Sequence, residues 1–258
     1  MSTEIYILIH KPLEYEMDLS RYIPIHVGAA LTDKKFAVIR DNIRDNISWK
    51  NPCYLETTGI YWIWKNSTAD IKGQMQYRRF LSVNPDFCER ILKNYDIITA
   101  NPSELKMTVE TQYEISHDID DLLAVKDILM AKYPEYVDSY NEYISQGNIL
   151  YYSNSFVTTK ERYNDLCSFC FDVLDTLCAI KNYDDYQVRI EHAKETMKKH
   201  PEHKLNYSPS HPDLSGVEYQ TRICGYLFER LFTLYVLHNK LNVYKCGEYI
   251  KLEDNMVD

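Results

Sequence analysis

The chain has 258 residues, 45% of them apolar, with only seven glycines and nine prolines, which excludes a disordered polymer and is enough to bury one large core or two small ones. A net charge of −9 and a pI near 5.4 exclude a broad basic face for nucleic acid, so the arginines are expected to serve local sites. No apolar run reaches the roughly 18–20 residues needed to cross a bilayer, which leaves peripheral contact as the expected form of membrane association.

In chain order, EIYILIH predicts a buried strand that ends at His10 and Lys11. Residues 22–31 read as a helix or turn interrupted by Pro24, and DNIRDNISWKNP, 41–52, as a polar loop. Asn51 and Pro52 carry a helix start signal, Asn as the cap and Pro at the first position, leading into a helix with Leu55, Gly59 and Trp62 on one stripe. IKGQMQYRRFL is a strand pattern with Gln74, Gln76 and Arg78 on one face and Met75, Tyr77 and Arg79 on the other. YDIITA, 95–100, is a further strand; 101–117 reads as a polar loop, 118–146 as two helices broken before Pro134, and 149–159 as the last strand. Helices are expected over 161–181 and 186–199, then a loop from 200 to 217 and a long helix over 219–239. This order predicts one α/β domain over 1–258, a sheet-and-helix core in 1–160 and a mainly helical portion in 161–258, with ligands at the strand ends.

Arg78 and Arg79 form one clamp only if the strand ends or bulges there, because alternation otherwise sends them to opposite faces. At a strand end their guanidinium forks suit phosphate oxygens; as structural residues they would instead pair with a carboxylate such as Glu56 or Asp86. Asp118 and Asp120, after His117, have the spacing to hold a divalent cation on a diphosphate, and Asp118 or Ser116 is equally placed to cap the following helix. In the long C-terminal helix Arg222, Gly225, Tyr226 and Glu229 share a side. The seven cysteines follow no disulfide framework, which fits a reducing cytoplasm; Cys167 and Cys170 form CxxC inside a helical pattern and read as core thiols. His192, His200, His203 and His211 cluster without the spacing of a metal site, and the 23 tyrosines suit stacking on sugars but also follow from coding bias.

Several blocks resemble a bacterial family, domain of unknown function 4422, encoded in capsular and exopolysaccharide clusters and taken to be glycosyltransferases. They are YIPIHVGAAL at 22–31, DNIRDNISWKNPCYLETTGIYWIWKN at 41–66, QYRRFL at 76–81, YDIITA at 95–100, QYEISHDIDDL at 112–122, YPEYV at 133–137, SNSFVTTKERY at 153–163 and YQTRICGYLFERLFTLY at 219–235. The family's HYRR stands here as Gln76, Tyr77, Arg78 and Arg79, and the stretch 187–218 between two YQxR copies reads as an insertion or a displaced copy.

The resemblance implies a sheet similar to that of the nucleotide-diphospho-sugar transferases (GT-A-like), with arginines where that fold commonly carries Asp-x-Asp and a metal. It implies transfer of a sugar, with galactofuranose one such sugar, from a nucleotide-diphosphate donor to a surface glycan or lipid-linked glycan. Arg78 and Arg79 would stabilise the diphosphate without a resident cofactor, with inversion at the sugar carbon. Asp118 is the expected base and Glu229 the other candidate, given the structural role of holding Arg222. The expected substrate-binding residues are His10, Lys11, His26, Asp45, Asn46, Tyr77, His117, Asn154, Gln220 and Arg222. Two rivals are a Mn- or Mg-dependent transferase using Asp118 and Asp120, and a non-catalytic glycan- or nucleotide-binding subunit.

Overall fold

The apolar run at the start of the chain forms strand β1, Thr3–Ile9, whose Tyr6 and Leu8 face one core while Ile5, Ile7 and Ile9 face another. A strand buried on both faces needs a layer on each side, and its parallel neighbours need crossovers. The computed structural model, which describes residues 1–13, 18–200 and 216–250, supplies both. β2 is Ile23–His26 and β3 Ile39–Arg40; α1 is Asn51–Tyr54, α2 Thr57–Asn66, β4 Ile71–Gln76 and β5 Arg79–Leu81. Next come α3 Pro85–Ile91, β6 Ile97–Ala100, β7 Ser103–Glu104, α4 Val109–Ser116, α5 Ile119–Lys132, α6 Val137–Tyr140 and, after a π-helical turn at Asn141–Ser145, β8 Ile149–Leu150. The order closes with β9 Phe156–Thr159, α7 Lys160–Lys181, α8 Tyr186–Lys199, α9 Gly216–Gln220, α10 Ile223–His238, β10 Val243–Cys246 and β11 Glu248–Ile250.

The main sheet runs β10-β6-β9-β4-β1-β2-β3, with β5 and β11 attached beside β4. β1 is parallel to β2 and β4, β2 to β3 and β10 to β6, while β9 is antiparallel to both its neighbours. One face packs against α2, α5, α7 and α10, the other against α3. The α/β class read from the sequence is the one observed.

Several expected elements differ. Residues 22–31 hold β2 and a short 3-10 turn, because Pro24, with no N–H to give, sits in a strand whose partners need none from it. Asn51 is not a cap: it is the first residue of α1, and its side-chain amide donates to the Leu55 carbonyl and the Thr58 hydroxyl. The helix expected to run on from there breaks at Leu55 (φ 54°), which removes Leu55 from the stripe. The stretch taken as a loop at 101–117 contains α4, capped by the Thr108 side chain. The strand expected over 149–159 is interrupted between β8 and β9 by Ser153 and Asn154, both at positive φ. Residues 149–159 are not the last strand, since β10 and β11 return the C-terminal portion to the main sheet. The helix expected over 219–239 breaks at Thr221 and Arg222. His203 and His211 lie outside the described residues.

Candidate active site

β4 reaches the carboxyl edge of the sheet at Gln76 and turns back through Tyr77 and Arg78 into β5, so that Gln76 pairs with Arg79. The strand therefore ends at the arginines. The buried Tyr77 ring is the centre of the turn: His10, just past β1, meets it edge-on at 5.0 Å between centroids, and Lys11 and Arg78 lie over it at 5.6 and 5.1 Å. Arg79 is exposed and makes no ion pair with a described residue.

Two carboxylates complete this edge. Glu56 follows the kink at Leu55, and its Oε1 accepts from Gln76 Nε2 (2.9 Å) and Asn154 Nδ2 (3.2 Å). Glu229, on α10, accepts from the Ser153 backbone N–H (2.9 Å) and pairs with Arg230 (3.0 Å). Burial raises the Glu229 carboxyl above its ordinary value; the Arg230 charge and the Ser153 bond oppose this, Glu56 adds to it and Arg79 acts against it. Glu229 thus feels the charges of Glu56 and Arg79 across one edge.

The backbone that sets this geometry is strained. Of the six non-glycine residues at positive φ among the described residues, Leu55, Ser153 and Asn154 adjoin these carboxylates. Such conformations cost about 1–3 kcal/mol each and persist where surrounding packing imposes them. Gly225 is part of that packing: a Cβ there would sit 2.6 Å from Leu55 Cδ1 and 2.8 Å from Cγ, so only glycine lets α10 approach the kink this closely. Gln74, fully buried in β4, donates to the Asn154 carbonyl (2.8 Å) and accepts from Tyr163 (2.9 Å), tying the Ser153–Asn154 bend to the central strand. Asn154 Oδ1 is buried without a partner among the described residues.

A second part of the edge lies at β2 and β3. Asp41, fully buried, accepts from the Gly28 and Ala29 backbone, Ser48 and Thr58, fixing the loop after β2 to α2. Gly28 is at φ 68°, where a side chain would also strike Asn51. His26 ends β2 beside Phe36 (4.6 Å), and burial lowers its pKa. His26 Nδ1, Arg40 Nε and Asn42 Oδ1 are buried polar atoms with no partner among the described residues.

The remaining sequence candidates make other contacts. Asp118 caps α5 by accepting from the Asp120 N–H (2.9 Å), and its other oxygen accepts from Thr196 on α8 (2.5 Å). Although burial opposes it, these bonds and His192 hold its carboxyl below the usual range, which makes it a weak base. Asp120 is exposed and lies 3.5 Å from Lys199. His117 stacks on Tyr226 (3.9 Å between centroids) and bonds Gln220 (3.1 Å); burial and Arg230 push its pKa down to about 3. His117, Asp118, Gln220 and His192 line a small cavity between α5, α8 and α10. Arg222 lies over the Tyr219 ring; Glu229 holds Arg230 and not Arg222, correcting the expected pairing. Asp45 accepts from Tyr61 Oη and, through its carbonyl, from Asn66 at the C-terminal end of α2, the end away from the carboxyl edge; Asn46 folds onto Arg44 and Ser48. Cys167 and Cys170 are fully buried thiols.

Residues 4–195 match the family model described as Domain of unknown function (DUF4422). The chain belongs to this family. No curated protein matches the DUF4422 chain. Among solved structures it is similar to the apo structure of WbbM, a bifunctional glycosyltransferase, with a TM-score of 0.73 and 24% identity over 97% of this chain. The DUF4422 chain spans 45% of that protein's length. The likeness shows a shared GT-A-like fold, as the sequence resemblance implied.

Glu56 entered the sequence reading only as a structural partner for arginine. Its position depends on a kink at Leu55, a residue type that gives no signal for positive φ.

Proposed function

We propose that this chain is an inverting glycosyltransferase that moves a sugar from a nucleotide-diphosphate donor to a hydroxyl of a surface-polysaccharide glycan, with galactofuranose the first donor sugar to try. The observation that carries the reading is that Arg79, exposed and without an ion pair among the described residues, acts with Glu56 on the charge of Glu229 beyond the carboxyl end of β4, where open α/β sheets bind ligands. The likeness to WbbM, a bifunctional glycosyltransferase, supports it.

In this reading the nucleoside lies over the ends of β1 and β2, where His26, Arg40 and Asn42 offer unsatisfied polar atoms, and Tyr77 with His10 and Lys11 borders the phosphates. Glu229 takes the acceptor hydroxyl's proton, reversing the order of bases that the sequence favoured, because its pKa is raised and that of Asp118 is lowered. The acceptor oxygen bonds to the anomeric carbon as the bond from that carbon to the diphosphate oxygen breaks. The electron pair leaves with the diphosphate, and Arg79 and Arg78 stabilise its charge in the role a metal fills in other sheets of this kind. Asn154 and Glu56 orient the sugar hydroxyls. A lipid-linked acceptor would hold the chain at the cytoplasmic face of the membrane by peripheral contact; no helix among the described residues is long and apolar enough to cross it.

The test is incubation of the purified chain with uridine-diphosphate galactofuranose, and with other nucleotide sugars, plus a glycan acceptor, following released nucleotide and acceptor mass. Stoichiometric nucleotide release and a one-sugar mass gain are expected. Saturable donor binding with neither product would replace the enzyme reading with a binding subunit.

A further inference from the structure

Three helices bring cysteine side chains to one point beneath the kink. Cys53 is on α1, Cys178 near the end of α7 and Cys224 in the first turn of α10, and all three are buried. Their sulfurs lie within 4.8 Å of one another, with Cys178 Sγ 3.4 Å from Cys224 Sγ. Among the described residues no other group of three His, Cys, Asp or Glu side chains has its ligand atoms so close. A tetrahedral zinc with Zn–S bonds of about 2.3 Å needs sulfur–sulfur separations of about 3.8 Å, which these distances bracket. The Tyr54 hydroxyl is 3.5 Å from Cys178 Sγ and donates to Asp175 (2.8 Å), which leaves an oxygen lone pair for a fourth position. Arg189 is buried, acts electrostatically on Cys53 and has an Nε without a partner among the described residues. Three thiolates, one divalent cation and this guanidinium sum to zero charge, the balance a buried site requires.

We propose that Cys53, Cys178 and Cys224, with the Tyr54 hydroxyl, form a structural site for one thiophilic divalent cation, zinc, that clips α1 and α7 to the start of α10. The site is separate from the proposed sugar-transfer edge and does not depend on that reading. Its effect is mechanical: it fixes the helix junction where Leu55 meets Gly225, and so the spacing of Glu56 and Glu229. Binding releases the thiol protons to solvent, with no oxidation.

The full chain, purified with reductant and then stripped of metal, is titrated with zinc chloride while its melting temperature is followed, and in parallel with cobalt chloride while its absorption is recorded. A melting temperature that rises until about one zinc per chain is bound is expected. Cobalt should give thiolate charge-transfer bands and the intense visible bands of a tetrahedral site, lost in Cys53→Ser and in Cys224→Ser. Should these variants fail to fold, the wild-type titrations decide alone. A stripped wild-type chain that melts at the same temperature with and without zinc and gives no cobalt bands would overturn the proposal. So would bands that survive in folded Cys224→Ser, or an intact mass lighter by two hydrogens together with a peptide map joining Cys178 to Cys224, which would show a disulfide instead.

Discussion

Substituting Gly225 by alanine tests whether the contact between α10 and the kink sets the carboxylate pair. In an exposed helix interior the change would stabilise by about 1 kcal/mol through helix propensity. Here the new Cβ would lie 2.6, 2.8 and 3.1 Å from Leu55 Cδ1, Cγ and Cβ. A rotamer change could move Cδ1 away, but Cγ and Cβ can retreat only if the backbone at Leu55, already at φ 54°, moves with them. Overpacking of this kind costs about 1–3 kcal/mol, which cancels or outweighs the propensity gain and leaves a net loss of up to about 2 kcal/mol. For a chain of this size that is a fall in melting temperature of up to about 8 °C. Because Glu56 is the next residue, turnover should fall at least tenfold while the melt stays cooperative. Thermal and urea unfolding read the first effect and the transfer assay the second. A variant more stable than the parent, with unchanged turnover, would refute the claim that this approach is tight and positions Glu56.

Arg79→Ala should lower turnover by about 10²–10³-fold, or about 3–4 kcal/mol, with the melting temperature unchanged because the side chain is exposed; Arg79→Lys should recover only part, having lost the fork. Burial alone would lower the His192 pKa, but its bond to Asp121 and the Asp121 and Asp118 charges raise it. Its contribution to stability is therefore complete below about pH 6.5 and is lost as pH rises through the raised folded value. The difference in unfolding free energy between the parent and His192→Gln should shrink over that window, and a difference flat in pH would contradict the pairing. Asp45→Ala should leave donor KM and turnover within about twofold and stability within about 0.5 kcal/mol, since its contacts are at the exposed far end of α2. A tenfold rise in donor KM would return Asp45 to the site.

The apolar strand runs and the long helical stretches were legible: β1, β4, β6, α7 and the charged α8 lie where the sequence pattern puts them. The strand end at Arg78 and Arg79 was also legible in outline, because alternation would have split two residues whose types suit a common anion. Breaks were not. Leu55, Ser153 and Thr221 carry no glycine or proline to mark them, and each is imposed by long-range packing: α10 on the kink, Gln74 on the Asn154 carbonyl, and α9 against α8. Short strands failed for a related reason, since β10 and β11 gain their place by pairing with β6 and β5 far earlier in the chain. Acidic residues at a loop-to-helix junction suit a cleft and a cap equally; the cap at Asp118 was legible, and its bond from Thr196, 78 residues on, was not, because it depends on α8 packing against α5.

The central claim is that the chemistry sits at the carboxyl end of β4 with Glu229 as the base, and the transfer rates of Glu229→Gln and Asp118→Asn at saturating donor test it most directly. Loss of a general base should cost Glu229→Gln about 10²–10⁴-fold in turnover with donor binding retained. Asp118→Asn should keep turnover within several-fold while its melting temperature falls, since it loses the charge that faces His192 and a hydrogen bond of full strength to Thr196. A folded Glu229→Gln chain with parental turnover, beside an Asp118→Asn chain that binds donor but transfers nothing, would contradict the account and move the chemistry to the cavity between α5 and α8.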